Sequence, residues 1–84
     1  MVTYREIESL EWVENVPEGF ENTITITDEE GCRDSTDDNL IRLLNDFSRI
    51  GWEVVNFTDT FNYLGADNDR TLQRRKCYLL RKSK

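Results

Sequence analysis

The sequence has no histidine and only two cysteines, and these scarcities limit the chemistry it can perform. Histidine is the side chain best suited to proton transfer near neutral pH and is the commonest metal ligand. Cys32 and Cys77 fit no metal-binding or redox spacing, and a zinc site would need more ligands. We expect two reduced thiols, with a single Cys32–Cys77 disulfide as the alternative. With no Gly-rich phosphate loop and no nucleophile beside a base, the sequence predicts no catalytic residue, no cofactor and no enzyme.

Long apolar runs are missing as well. No stretch approaches the roughly twenty apolar residues that a membrane-spanning helix needs, and the first residues lack the apolar segment of a signal peptide. We therefore expect a soluble, cytoplasmic protein that does not bind membranes. Its 84 residues are predicted to form a single domain, 1–84. A chain this short has a thin stability margin, for which assembly into dimers or larger oligomers is a common remedy.

Charge is unevenly divided along the chain, although the net value is −6. Residues 1–46 contain thirteen Asp and Glu against three Arg, a balance of −10. Residues 47–84 contain eight Lys and Arg against four Asp and Glu, a balance of +4. Because the acidic part repels phosphate, we do not expect direct binding of nucleic acid.

The first third of the chain has the pattern of two β-strands. Residues 2–10 are predicted as the first strand, with Tyr4 and Ile7 as its core anchors. Residues 22–27 alternate strictly between threonine and isoleucine from residue 23 onward, which is typical of a half-buried strand. The turn residues Pro17–Gly19 between the two strands favour an antiparallel hairpin.

An amphipathic helix is predicted over residues 36–50, after an acidic loop at residues 28–38. Ser35 or Thr36 can cap its N-terminus. Apolar side chains recur at helical spacing and form one stripe. They are Leu40, Leu43, Leu44, Phe47 and Ile50.

Glycine and tryptophan mark the end of this helix. Gly51 can adopt the left-handed conformation that ends a helix, and Trp52 should then contact Phe47. Residues 53–58 follow as a β-branched and aromatic strand, which can extend through Phe61, Tyr63 and Leu64, and residues 70–81 are predicted as its return strand. The pattern predicts an α+β fold, in which an antiparallel sheet of about four strands in the order ββαββ carries the helix on one face.

The junction Gly51-Trp52-Glu53, within the run from Leu44 to Val55, resembles the signature of a family of small bacterial and phage-borne domains, domain-of-unknown-function family 4177. Residues 4–7 and 78–82 occupy the places of that family's first and closing strands. The resemblance implies the same α+β architecture and carries no catalytic residues. The present chain departs from the pattern between residues 9 and 36, which are longer and more acidic than the usual link.

Acidic residues ahead of the helix form the first candidate binding site. They are Glu29, Glu30, Asp34, Asp37 and Asp38. These carboxylates can imitate a phosphate backbone and occupy a nucleic-acid-binding protein, as small phage-encoded inhibitors do; a solvated acidic loop is the alternative. A calcium-binding loop counted from Asp28 would place Gly31 at position 4 and Asn39 at position 12, which is the wrong spacing, so no metal is predicted.

Basic residues in the return strand form the second candidate site. They are Arg70, Arg74, Arg75 and Lys76. Such charges ordinarily protect an edge strand from unwanted pairing; binding of a phosphate or nucleotide-like anion is the alternative. Aromatic residues interleave with them, as on a stacking platform, although strand aromatics more often lie in the core. These are Phe57, Phe61, Tyr63 and Tyr78.

The strands contain more apolar and aromatic residues than one helix can cover. We therefore expect a non-enzymatic interaction module with a protein partner, first of all a second copy of itself in a homodimer or higher oligomer. The alternatives are an acidic, possibly phage-encoded inhibitor and a protein that sequesters a small anionic ligand. Trp12, in a weakly patterned acidic stretch, belongs either to the core or to an interface.

Overall fold

The computed structural model of the protein describes residues 2–14, 16, 18–35, 39–65 and 70–83. They form five strands and one helix: β1 (Val2–Glu14), β2 (Thr23–Asp28), β3 (Gly31–Asp34), α1 (Leu40–Arg49), β4 (Glu53–Leu64) and β5 (Thr71–Ser83). All neighbouring strands are antiparallel, and the order across the sheet is β3-β2-β1-β5-β4. The predicted α+β class and antiparallel sheet are confirmed. The prediction of four strands in the order ββαββ is wrong, because a third strand precedes the helix.

This additional strand, β3, lies inside the segment predicted as an acidic loop. Glu29 and Glu30 form a tight turn, in which the Glu30 N–H donates to Asp28 Oδ1 at 2.9 Å. Gly31 follows with a φ of +124°, a conformation that residues with a Cβ rarely adopt. The chain therefore reverses direction and returns along β2. Four residues are too few to show a hydrophobic period, which is why their sequence predicts no strand.

The predicted hairpin of β1 and β2 is confirmed. Ile7 is fully buried and pairs with Ile26, and Ile24 is buried on the same face. Tyr4, predicted as a second anchor of β1, is instead 53% exposed. Because successive side chains of a strand point to opposite faces, residues 4 and 7 cannot share one core.

The helix α1 lies across the face that carries these isoleucines. The buried cluster consists of Ile7, Ile24, Ile26, Phe47, Trp52 and Leu80. The helix leucines pack against it while partly buried: Leu40, Leu43 and Leu44. Ile50, predicted as the last member of the stripe, is 58% exposed. It is the C-cap residue, with a φ of −101° and a ψ of 18°, and so no longer follows the helical path.

The helix begins four residues later than predicted. Asn39 is its N-cap, and the Asn39 Oδ1 accepts a hydrogen bond from the Arg42 N–H at 3.0 Å. Ser35, one predicted cap, instead donates its backbone N–H to Ile24 O at 2.7 Å, which extends the pairing with β2. Thr36, the other predicted cap, lies outside the described residues. No helix in the described part of the chain has the length and hydropathy to cross a membrane.

The predicted end of the helix is confirmed. Gly51 has a φ of +96°. The Trp52 N–H donates to Phe47 O at 3.0 Å and the Gly51 N–H donates to Ser48 O at 3.1 Å, the two hydrogen bonds that close a helix with a left-handed residue. The rings of Phe47 and Trp52 meet edge to face with centroids 6.2 Å apart. This junction fixes the direction in which β4 leaves the helix.

The sheet extends well beyond the helix. The protein measures 51 × 22 × 22 Å with a radius of gyration of 14.8 Å, whereas a compact domain of this length has a radius of about 12 Å. Its accessible surface is 6111 Å², against about 5,200 Å² for an average monomer of this mass. The buried cluster includes Ile7 and Leu80, and the ends of β1, β5 and β4 near Glu14, Thr71 and Leu64 project beyond it, although Leu72 is also buried there.

Trp12 belongs to this projecting end. Its ring centroid lies 4.8 Å from that of Phe20, and its Nε1–H donates to Glu21 O at 3.1 Å. The side chain is half-buried against the segment that connects β1 to β2. It therefore closes the end of the hairpin, outside the main core.

Candidate functional site: the outer strand

The strand β4 is the outermost strand beside β5, and all twelve of its residues are exposed. Its large apolar side chains are between 41% and 59% exposed: Val54, Val55, Phe57, Phe61, Tyr63 and Leu64. The sequence is rich in β-branched and aromatic residues, which favour an extended backbone. A long outer strand with exposed apolar side chains is a template for pairing with another chain.

Three aromatic side chains of β4 form a row on one face of the sheet. Strand alternation places Phe57, Phe61 and Tyr63, the aromatic row, on the face that also carries α1. Phe57 packs against Tyr78 with ring centroids 4.8 Å apart. The Arg74 guanidinium lies 5.1 Å from the Phe61 ring centroid. The described ring partners thus come from the β5 side, and the opposite flank of the row is accessible.

The two charged residues of β4 are both neutralised by arginines of β5. Asp59 accepts hydrogen bonds from Arg74 Nε at 3.0 Å and Nη2 at 2.7 Å. This pair lowers the pKa of the Asp59 carboxyl and raises the pKa of Arg74. Glu53 Oε1 accepts hydrogen bonds from both Nε and Nη2 of Arg81, which raises the pKa of Arg81. The outer strand is therefore locally neutral on a chain of net charge −6.

The basic cluster predicted to protect a sheet edge does not lie at an edge. β5 lies between β1 and β4, so that part of the prediction is wrong. Its charges instead pair with carboxylates of the two flanking strands. Lys76 Nζ lies 3.4 Å from Glu11 Oε1, and Arg75 Nε lies 3.7 Å from Glu8 Oε1.

The same ion pairs occupy residues of the predicted anion site. The register places Arg74 and Lys76 on the helix-bearing face and Arg75 on the opposite face. The Arg70 guanidinium lies 5.7 Å from the Tyr63 ring centroid. The four predicted residues therefore do not converge on one point, and an incoming anion would compete with bound carboxylates at three of them.

The acidic cluster occupies the opposite edge of the sheet. Glu29 and Glu30 form the turn between β2 and β3, and Asp34 ends β3, all three exposed. Asp37 and Asp38 lie outside the described residues. The neighbouring Asp28, which is absent from the predicted set, has a structural role. It bonds Arg33 at 2.6 Å, and that bond is the largest cause of the lowered pKa of its carboxyl.

The two cysteines are free and far apart. Cys32 in β3 and Cys77 in β5 are separated by β2 and β1. Three strand spacings amount to about 14 Å, whereas a disulfide needs Cα atoms within about 7 Å. The alternative of a Cys32–Cys77 disulfide is therefore incompatible with the sheet order.

Cys77 lies beside two carboxylates. The ligand atoms of Glu6, Glu8 and Cys77 lie within 4.8 Å of one another, and the Cys77 thiol donates to Glu8 Oε2 at 3.8 Å. Burial is the main cause that raises the pKa of this thiol, and the two carboxylates add to the effect. The sulfur therefore stays protonated near neutral pH, which makes it a poor nucleophile and a poor soft metal ligand.

The sequence matches no protein-family model, and no curated protein or solved structure matches it significantly. The resemblance carried by Gly51-Trp52-Glu53 thus remains a prediction.

Proposed function

We propose that the protein is a non-enzymatic, self-associating module whose outer strand β4 binds a second copy of the chain. The observation that carries this proposal is the exposure of β4 along its whole length, including the aromatic row. The accessible surface exceeds that of an average monomer by about 900 Å², and a standard interface buries about 800 Å² per partner. One contact of ordinary size would therefore remove the excess.

A second copy suits this surface because the surface is neutral. Two chains of net charge −6 repel each other in general. At β4, however, Glu53 and Asp59 are each paired with an arginine of the same chain. Two identical neutral, apolar surfaces can meet about a two-fold axis without placing an unpaired charge in the contact. A reducing cytoplasm fits the two free cysteines.

Sedimentation equilibrium or light scattering at micromolar concentrations tests the proposal. We expect a particle of twice the chain mass, and Phe61→Ser should weaken the dimer because it removes an aromatic ring from the contact. Ile41→Ser is the matched control, since Ile41 is 73% exposed on α1 and lies outside β4. A wild-type monomer at high micromolar concentration would overturn the proposal. Equal weakening by the two variants would show that β4 is not the surface involved.

A further inference from the structure

We infer that two copies join edge to edge, with β4 of one chain antiparallel to β4 of the other, so that two five-stranded sheets become one sheet of ten strands. The inference rests on the proposed self-association and specifies its geometry. It differs from face-to-face stacking of two sheets, in which side chains meet but no backbone hydrogen bonds cross the interface.

The backbone of β4 shows which groups are available at its outer edge. The Phe57 N–H donates to the side-chain Oδ1 of Asn56 at 2.9 Å. The Thr60 hydroxyl donates to Arg75 O at 3.5 Å, so this carbonyl of β5 is directed at Thr60. In an antiparallel strand the N–H and C=O of successive residues point alternately to the two sides. The outward groups beyond Phe57 therefore belong to Asp59, Phe61 and Tyr63.

Along residues 57–64 this edge is neither short nor bulged, and it has no lysine or proline. Edge strands are commonly shortened, bulged, or fitted with lysine or proline. β4 has twelve residues and contains neither lysine nor proline. Its one irregularity lies between Val54 and Asn56, close to the helix, and leaves residues 57–64 in regular register with β5. At the other edge of the sheet, β3 has only four residues.

Side-chain exposure favours pairing at the edge over stacking on the face. Tyr78, Lys76 and Arg74 share the face of the aromatic row, and they are half-buried because β1 and β4 flank them on both sides. Phe57 and Phe61 have a strand on one side and are 48% and 54% exposed. The aromatic row therefore lacks a neighbouring strand on its outer side. A strand of the second chain, placed alongside β4, would provide that neighbour.

The charge at Asp59 restricts the register. A two-fold axis through Asp59 would set the two Asp59 carboxylates directly opposite each other, which is unfavourable. Shifting the axis to Thr60 places Phe57 opposite the partner's Tyr63 and aligns residues 56–64 of the two chains. Cross-strand aromatic pairs of this kind stabilise a sheet. The geometry therefore points to a dimer centred on Thr60.

Amide hydrogen exchange followed by NMR tests the geometry, after sedimentation has established the mass. In the dimer, we expect the N–H groups of Asp59, Phe61 and Tyr63 to exchange at least about tenfold more slowly than in a dilute monomer. Cys32 and Asp34 are the controls. Ser35 bonds inward to β2, so these two amides point outward from β3 and should exchange equally fast in both states.

The outcomes separate this inference from the proposed function. A monomer overturns both. A dimer in which the outward amides of β4 exchange as fast as in the monomer overturns edge pairing and leaves self-association standing. Protection of these amides with no change at β3 supports the edge-to-edge sheet.

A charge substitution at the centre gives a second test. Thr60→Lys places two ammonium groups opposite each other and should raise the dissociation constant at least about tenfold, or roughly 1.4 kcal/mol. Because lysine makes the chain less negative, a change in the general repulsion between the two chains would strengthen the dimer instead of weakening it. Cys32→Lys puts the same charge on the other edge and should not weaken the dimer, since it lowers general repulsion without placing a charge in the contact. A Thr60→Lys dimer of wild-type affinity would overturn the inference; should that variant not fold, amide exchange of the wild type decides.

Discussion

Arg74 bonds the Asp59 carboxylate with two hydrogen bonds while its guanidinium lies 5.1 Å from the Phe61 ring centroid. One side chain of β5 thus neutralises the charge in the middle of β4 and orders an aromatic ring beside it. The outer strand packs along β5, where Val54 pairs with the core residue Leu80 and Phe57 contacts Tyr78 at the margin of the core.

The pKa of the Asp59 carboxyl is lowered from its ordinary value of 3.8, chiefly by Arg74, and the pKa of Asp28 is lowered chiefly by Arg33. A folded-state pKa below the unfolded value means that the folded state binds protons less readily. The stabilisation is therefore complete above about pH 4 and is lost as the pH falls through the folded-state pKa values. Urea midpoints between pH 7 and pH 2 should show this loss. The double variant Asp28→Asn/Asp59→Asn should be less stable at pH 7 and lose less on acidification; an identical acid loss would contradict the assignment.

Ile7 and Tyr4 offer a direct contrast between the two faces of β1. Ile7→Ala removes buried methylenes from the centre of the core, and we expect the free energy of unfolding to fall by about 2–5 kcal/mol. Tyr4→Ala, on the opposite and exposed face, should cost less than about 1 kcal/mol. Urea unfolding of both variants measures the difference. Equal costs would mean that the faces of β1 are assigned incorrectly.

Gly51 ends α1 with a positive φ. A Cβ at this position would meet the Lys82 Cε at an ordinary distance of 3.6 Å, so any cost comes from the backbone. Gly51→Ala should lower the free energy of unfolding by about 1–2 kcal/mol, and Gly51→Asn by less, because asparagine tolerates this conformation. Thermal melts compare the two variants. If the alanine and asparagine variants lose the same free energy of unfolding, the loss does not come from the positive φ of residue 51.

Asn39 caps the first turn of α1 through its side-chain oxygen. Asn39→Ala leaves the Arg42 N–H without that acceptor and should cost about 1 kcal/mol. Asn39→Asp keeps an oxygen acceptor at the same place and should retain most of the stability. Circular dichroism during urea unfolding provides the measurement, and equal losses in the two variants would show that the cap contributes little.

A cysteine at the centre of the inferred dimer reports its register. In a Cys32→Ser/Cys77→Ser background, Thr60→Cys should form a covalent dimer on mild oxidation, since residues opposite each other have Cβ atoms about 4.5–5.5 Å apart. Asn62→Cys is the control, because two residues from the axis its counterpart lies beyond disulfide reach. Non-reducing gels compare the yields. A higher yield from residue 62 would place the axis elsewhere.

The periodic elements could be predicted from the sequence. The alternation of β2, the helical stripe and the Gly51-Trp52 ending each depend on residues within a few positions of one another, and each is present in the structure. Two predicted core residues are exposed: Tyr4 lies on the face of β1 opposite to Ile7, and Ile50 fits the helical spacing but falls at the C-cap, where the helix has ended.

The order of the strands could not be predicted in the same way. Alternation determines which face a side chain occupies, not which strand lies beside it. The basic residues of β5 therefore suggested an edge, whereas their counter-charges Glu8, Glu11 and Asp59 arrive from strands far away in the sequence. The aromatic residues of β4 were visible as a set, but their position at an open edge depends on β5 being inserted between β1 and β4.

The shortness of β3 limits the number of chains that can join the inferred sheet. Once two β4 strands are paired, the ten-stranded sheet ends on both sides in four residues, Gly31–Asp34, that bear polar or small side chains. Such a short, polar edge offers a third chain few backbone groups and no large apolar side chains to pair with. In the inferred dimer, assembly should therefore stop at two copies, with both β4 edges covered in a closed particle.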